Sequence, residues 1–250
     1  MEETMHIAAQ YLATSAISFI TKEDDDSHTN LGWINRTLET HPFINGDKLG
    51  LNYEHFSLEW IHSDGNKEHL FLNNVTHKEV IDWIALMSID NHIEKVYSYL
   101  MHYDLPYKKI SDTFRFKLTS QNDLNQLIKK RDLAQHVISK VLTSNNYISP
   151  IRIWPHHFDT GAFVNINKKL SIGIGMAIPD SLIDDFYFYI SGYNNHKPIN
   201  LELPKNINKE TYYTNGWQGF AIPISESDED SIIDFCQVAI NLYLNSINDA

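Results

Sequence analysis

The sequence predicts an α+β fold in which four helices pack on a mostly antiparallel sheet. Four segments carry apolar residues at helical spacing, and short segments of alternating apolar and polar residues lie between them. The order helix, meander, helix occurs twice along the 250 residues. We therefore expect a single compact domain over 1–250, built from two pseudo-repeated halves at roughly 1–115 and 120–250.

The first half is predicted to begin with a helix over residues 1–20, which contain no glycine or proline and are followed by the acidic run 23–26. Short strand-like segments separated by turn residues then indicate a meander. Thr76 and Glu79 have the spacing of a capping box, which predicts the start of a second helix. The predicted strands of this half are 31–36, 48–53, 56–61 and 69–72.

The second half is predicted to follow the same order. Residues 114–118 alternate like a strand, and Ser120 can cap a long helix that ends near Leu142. The polar stretch 194–215 predicts a long loop, and Ser227 is predicted to open the last helix. The predicted strands of this half are 151–154, 161–166, 170–178, 186–190 and 217–224.

Three short matches between the two halves occur in the same order, which supports a duplication. The matched pairs are 9–12 with 134–137, 28–32 with 157–161, and 80–83 with 232–235. The last pair carries Trp83 and Phe235 on the apolar stripes of their helices, so we expect both side chains to be largely buried. The alternative is convergent helix patterning on an unrepeated α+β fold.

The composition limits the kinds of binding partner and the cellular compartment that we expect for this protein. The chain has 20 Lys and Arg against 32 Asp and Glu, a net charge of −12, so we expect neither nucleic acid nor a membrane surface as a partner. No run of apolar residues is long enough to predict a transmembrane helix. Cys236 is the only cysteine and the opening residues are acidic, which favours a cytoplasmic protein without a disulfide or a signal peptide. A small-molecule partner remains open, and the sequence does not determine the oligomeric state.

The densest polar cluster is the segment 154–159, which reads Trp-Pro-His-His-Phe-Asp. Alternate side chains of an extended chain share a face, so His157 and Asp159 are expected to point the same way and His156 the opposite way. A histidine beside an aspartate can hold a metal ion, or one can act as a base that the other orients. We therefore treat His157 and Asp159 as candidate catalytic residues and metal ligands, and His156 as a candidate ligand-binding residue. The alternative is a structural role for both histidines at the surface or at a strand end.

A second cluster, at 24–30, combines six oxygen-bearing side chains with one imidazole. Hard cations favour oxygen ligands, but the spacing does not match an EF-hand calcium loop. His28 is a candidate metal ligand because it matches His157 in the repeat, and Asp26 and Asn30 are candidates for orienting the ligands. If a two-fold axis relates the halves, the imidazoles of His28 and His157 should lie within about 10 Å of each other. The alternative is a solvated acidic loop after a helix.

An aromatic run supplies two further candidates. Alternation along a strand places Tyr187 and Tyr189 on one face and Phe186 and Phe188 on the other. The tyrosines are therefore candidate ligand-binding residues if their face is open, and the alternative is packing within the sheet and core.

Four motifs of this sequence resemble an uncharacterised bacterial family that is known as a domain of unknown function. They are Asp-Asp-Ser-His-Thr-Asn-Leu at 25–31, Trp-Pro-His-His-Phe-Asp at 154–159, Tyr-Phe-Tyr at 187–189 and Gly-Trp-Gln-Gly at 216–219. The resemblance covers most of the chain, and relatives that carry Gly-Ser-Phe-Asp imply that Phe158 and Asp159 are the shared element. It implies where a site lies, and it implies no activity.

The favoured hypothesis is a protein that binds a small molecule or a divalent metal at the two histidine motifs, with metal-assisted hydrolysis as its enzymatic version. In that version His28, His157 and Asp159 are the ligands or the base. The alternative is a non-catalytic interaction module in which the same motifs are structural turns. The sequence determines neither whether the protein is an enzyme nor which substrate it takes.

Overall fold

The structure is a computed structural model that describes residues 1–203 and 211–248. Within these residues the chain forms four α-helices and two mostly antiparallel sheets, which confirms the predicted α+β class. The chain divides into two compact units: residues 1–132 with 153–158 form the first, and residues 133–152 with those from 159 onward form the second. The single domain and the pseudo-repeat of two halves stay predictions.

The first unit contains the predicted order of helix, meander and helix. Its elements are α1 (Glu2–Phe19), β1 (Gly32–Ile34), β2 (Thr37–Glu39), β3 (Lys48–Asn52), β4 (Ser57–Ile61), β5 (Lys67–Phe71) and α2 (His77–Asp90). The strands pair in the order β1-β2-β3-β4-β5, each antiparallel to its neighbour. The sequence does not predict β2, because three residues are too few to show an alternating pattern.

Helix α2 begins with the predicted capping box. The Thr76 hydroxyl accepts a hydrogen bond from the Glu79 backbone N–H, and the Glu79 carboxylate accepts one from the Thr76 backbone N–H. The buried stripe runs through Val80, Ile84 and Met87, at the i, i+4 and i+7 positions of one face. Trp83 lies at the margin of that stripe and is half-buried, so it is covered less completely than the residues of the stripe itself.

The connection 91–120 between α2 and the next helix contains no helix or strand. The strand predicted at 114–118 is therefore wrong, and Arg115 forms only an isolated bridge with Thr76. Backbone hydrogen bonds instead dock this segment against the start of α2. Sequence periodicity alone cannot distinguish a strand from an alternating segment that forms only one isolated bridge.

The remaining elements form the second unit, apart from the residues that α3 and β6 contribute to the first. They are α3 (Gln121–Ser144), β6 (Arg152–Ile153), β7 (Thr160–Asn167), β8 (Leu170–Ala177), β9 (Tyr187–Asn194), β10 (Lys197–Pro198), β11 (Tyr212–Tyr213), β12 (Gly219–Pro223) and α4 (Glu229–Asn248). The sheet is ordered β11-β12-β9-β8-β7-β6, and β10 pairs with β9. The loop predicted at 194–215 contains the short strands β10 and β11, and its residues 204–210 lie outside the described part of the chain.

Helix α4 packs against the sheet of the second unit. Gly192 of β9 permits the close approach, because a side chain there would overlap the ring of Tyr243. Cys236 and Tyr243 are fully buried on this face of α4. Phe235 is half-buried, so its ring is covered less completely than Cys236 and Tyr243. Like Trp83, Phe235 is apolar but lies at the edge of the buried stripe of its helix.

The N-termini of α3 and α4 test the two predicted caps. The Ser120 hydroxyl accepts a hydrogen bond from the Asp123 backbone N–H at 3.1 Å, which confirms that cap. At α4 the Asp228 carboxylate, rather than Ser227, accepts from the Ser231 backbone N–H at 2.9 Å. Among the described residues, no helix is both long enough and apolar enough to cross a membrane.

Candidate functional site

The Trp-Pro-His-His-Phe-Asp motif anchors helix α1 in the first unit. The Pro155 carbonyl accepts hydrogen bonds from His6 Nε2 at 2.8 Å and from Gln10 Nε2 at 2.9 Å. Phe158 is 2% exposed, and its ring stacks on the His6 ring with 4.5 Å between centroids. The Arg131 guanidinium lies 4.3 Å from the Phe158 ring centroid and donates a hydrogen bond to the Phe158 carbonyl at 2.8 Å. These contacts make the motif a packing centre of the first unit.

His6 is held neutral by its surroundings. Its Nε2–H donates to the Pro155 carbonyl, so Nδ1 is the acceptor for the Tyr107 hydroxyl at 3.1 Å. The pKa of His6 is lowered to about 4, chiefly by burial; the hydrogen bond to the Pro155 carbonyl opposes this shift, and the nearby positive charge of Arg131 adds to it. In the neutral imidazole both ring nitrogens therefore have a hydrogen-bond partner.

Three tyrosine side chains of the connection 91–120, which we call the tyrosine strap, hydrogen-bond to α1. The pairs are Tyr97 with Thr14 at 2.9 Å, Tyr103 with Gln10 at 2.7 Å, and Tyr107 with His6 at 3.1 Å. The three partners on α1 are spaced four residues apart, so they form one polar stripe on a buried helix face. The strap explains how a segment without regular structure is held against α1.

A cavity of about 280 Å³ lies under this segment in the first unit. The rings of Tyr99, Tyr103 and Tyr107 line it together with aliphatic side chains that include Ile7. His77, the first residue of α2, also lines it. Such a cavity, mostly apolar with a few convergent polar groups, is typical of small-molecule sites.

His77 is the polar group buried most deeply in the cavity wall, with 6% exposure. Its Nδ1 lies 2.6 Å from the hydroxyl oxygen of Tyr11, which is itself fully buried. The Tyr99 ring packs edge-on against the imidazole, with 4.6 Å between centroids. Burial lowers the pKa of His77 and raises that of Tyr11, so both groups are neutral near pH 7.

A cluster of charged and imidazole groups lies beside the strap. The Asp26 carboxylate is 3.2 Å from His102 Nε2, and the half-buried His156 ring contacts those of Tyr103 and the exposed His157. The pKa of His156 is lowered to about 4, chiefly by burial and also by His157 and His102, while the charge of Asp26 opposes the shift. The structure thus brings together the predicted residues Asp26, His156 and His157. Sequence reasoning missed His102 and Tyr103, because the connection that carries them has no periodic pattern.

His28 and Asn30 make local hydrogen bonds of structural type. His28 Nδ1 accepts from the Glu23 backbone N–H at 3.3 Å, and Asn30 Oδ1 accepts from His41 Nε2 at 2.8 Å. Both predicted residues are buried. The described part of the chain shows no hydrogen bond or ring contact between His28 and His157, so their convergence stays a prediction.

The remaining predicted residues belong to the second unit. The Tyr189 hydroxyl donates to the Asp159 carboxylate at 2.5 Å, and the Tyr187 hydroxyl donates to Asp180 at 2.8 Å. Gly175 makes room for Tyr189, because a side chain there would overlap its ring. Burial, followed by the charge of Asp159, raises the pKa of Tyr189 well above its usual value. The two tyrosines therefore have carboxylate partners within their own unit.

The described residues contain no cluster of side chains that could form a metal site. Within 1–203 and 211–248, no three His, Cys, Asp or Glu side chains are grouped so that they could hold a metal ion. His28, His157 and Asp159 therefore stay predicted ligands, and the divalent metal stays a prediction with them.

Comparison of the chain with protein-family models, with curated proteins and with solved structures finds no match. The resemblance to a domain of unknown function consequently stays a prediction. Function is therefore inferred from the geometry of the first unit, where the cavity, the strap and the histidine cluster share Tyr103.

Proposed function

We propose that the first unit binds a small, largely apolar organic molecule in the cavity beneath the tyrosine strap. The observation that supports this most strongly is the cavity of about 280 Å³, which tyrosine rings and aliphatic side chains line around a single buried imidazole. Apolar walls supply affinity through burial of the ligand, and a few polar groups fix its orientation.

The connection 91–120 forms most of the cavity wall, and its length also favours a binding role. Long segments without regular structure in compact proteins are usually either functional, as binding or active-site loops, or else linkers and disordered segments. Here the strap holds such a segment in place through side-chain hydrogen bonds. A wall fixed in advance lowers the entropy that the protein loses when a ligand binds.

The predicted histidine motif supports this cavity from outside. Tyr103 lines the cavity, bonds to Gln10 and contacts the ring of His156. The proposed role of the motif is therefore to position the cavity wall. A cytoplasmic location belongs to the same proposal, and the single buried Cys236 favours it.

The alternative function is a non-catalytic interaction module with structural histidine turns. The local hydrogen bonds of His28 and Asn30 favour it. Exposed apolar side chains on the connection also do so, since Val96 is 87% exposed and Leu100 is 71% exposed.

A fragment screen by ligand-observed NMR tests the binding proposal. The variant Leu105→Trp fills the cavity from a half-buried position in its wall, and Leu86→Trp adds the same ring at an exposed position of α2 as a control. We expect small aromatic fragments to bind the natural chain and Leu86→Trp, and Leu105→Trp to lose that binding. Equal binding to both variants, or no fragment binding at all, would contradict the proposal and favour the interaction module.

A further inference from the structure

His77 presents a hydrogen-bond donor that no residue of the described chain uses. If the imidazole donated from Nδ1 to Tyr11, the buried Tyr11 hydroxyl hydrogen would have no acceptor in the described part of the chain, which costs about 1–3 kcal/mol. The tyrosine therefore donates to Nδ1, and the proton of the neutral imidazole is on Nε2. That nitrogen has no hydrogen-bond partner among residues 1–203 and 211–248, and its ring lines the cavity.

The charged residues of the cavity wall leave one cation uncompensated. Lys109 Nζ lies 3.6 Å from Asp104 Oδ1, and both residues line the cavity. Lys108 also lines it, is exposed, and belongs to no ion pair among the described residues. Lys108 is therefore the cation of the wall that a bound anion would meet, against the carboxylate of Asp112, which acts on His77, and those of Glu2 and Glu3, which act on Tyr107.

Building on the proposed function, we propose that the ligand of this cavity is a small carboxylic acid with an aromatic or branched apolar body. The body packs between the rings of Tyr99 and Tyr103, His77 Nε2–H donates to a ligand oxygen, and Lys108 attracts the carboxylate. The partial positive charge at the start of α2, where His77 is the first helical residue, acts in the same direction.

Neutral and cationic ligands fit these groups less well. A cation would be repelled by Lys108, and a neutral molecule would gain only the hydrogen bond from His77. Hydrogen bonds to a charged acceptor are roughly twice as strong as those between neutral groups, so the donor at His77 also favours an acid over its amide.

The test compares phenylacetate with its neutral isostere phenylacetamide by calorimetric titration of the full chain at low ionic strength. We expect the acid to bind about tenfold more tightly than the amide. The variant Lys108→Gln should weaken binding of the acid about threefold to fivefold and leave binding of the amide unchanged. Lys169→Gln removes an exposed lysine of the second unit and should change neither affinity.

A second measurement uses the natural chain and does not depend on a variant that folds. A long-range ¹H–¹⁵N spectrum of the histidine rings should show His77 protonated at Nε2, with a shift of that nitrogen on addition of phenylacetate. Protonation at Nδ1, or a ring unaffected by a bound acid, would overturn the inference.

The outcomes separate the ligand class from the function itself. Equal binding of acid and amide, or equal weakening of both by Lys108→Gln, overturns the acid class and leaves the cavity as a binding site. The acid class is also overturned, and the binding site kept, if fragments bind the cavity but none of them is an acid. If neither phenylacetate nor any screened fragment binds the natural chain, the proposed function fails together with the ligand class.

Discussion

Acidification should destabilise this protein through the buried His6. In the folded chain the pKa of His6 is lowered from 6.5 to about 4, chiefly by burial. The unfolded chain binds a proton near the ordinary pKa, so as the pH falls proton uptake lowers the free energy of the unfolded state before that of the folded state. The stability that His6 contributes is therefore fully present above about pH 6.5 and is lost between about 6.5 and 4.

The size of the effect follows from the two pKa values. Between about pH 7.5 and pH 5, a shift from 6.5 to about 4 lowers the free energy of unfolding by about 2 kcal/mol. His6 is 1% exposed, so solvent screening does not reduce this figure much. Other buried histidines with lowered pKa values, such as His77, add to the total loss. The contribution of His6 must therefore be measured as a difference between two proteins.

The assay is urea unfolding of the natural chain and of His6→Gln at both pH values. The glutamine cannot be protonated and keeps a donor for the Pro155 carbonyl. We expect His6→Gln to be less stable at the higher pH, because the Tyr107 hydroxyl loses its acceptor, but to lose about 2 kcal/mol less on acidification. His55→Gln, at an exposed histidine of the same unit, should retain the full pH dependence of the natural chain.

Equal losses on acidification in the natural chain and in His6→Gln would refute this reasoning. That result would mean that His6 takes up its proton in the folded state as easily as in the unfolded chain. The hydrogen bonds assigned to its two nitrogens would then be wrong, since a protonated ring cannot accept a bond from Tyr107.

Two further predictions concern packing in the two units. Phe158→Ala should lower the free energy of unfolding by about 3–5 kcal/mol, because the ring is buried against His6 and Arg131. Urea unfolding measures this loss, and a value under about 1 kcal/mol would show that the Phe158 ring is not a packing centre. Gly175→Ala should cost about 1–3 kcal/mol, because its methyl group overlaps the Tyr189 ring. On a Tyr189→Ala background the same glycine substitution should cost clearly less, and an unchanged cost would show that another group causes the clash.

Local signals predicted the elements that depend on local interactions. The capping box at Thr76 and the cap at Ser120 both form, because their partners lie three residues away along the chain. The meander of the first unit also follows from alternation and turn residues. Trp83 and Phe235 are half-buried at the edges of their helix faces, because periodicity identifies a helix face but not how far the neighbouring elements extend over its edge.

Sequence motifs predicted part of the candidate site, but they did not predict what each of its residues does. The sequence singled out Asp26, His156 and His157, which share electrostatic surroundings in the structure. It gave no reason to select Phe158 as the packing centre of that motif, because the residues that hold its ring lie far away in the chain. The donor at His77 was equally hidden, since only the contact with Tyr11 fixes its tautomer.

By itself the sequence determined the α+β class and most helices and strands, because these depend on periodicity and on contacts between near neighbours. Only the tertiary structure decided that the aperiodic connection 91–120 forms the wall of a cavity. Its tyrosines reach a polar stripe on α1 that lies about ninety residues earlier in the chain. Such pairings are set by how elements pack in space, and no local pattern in the sequence encodes them.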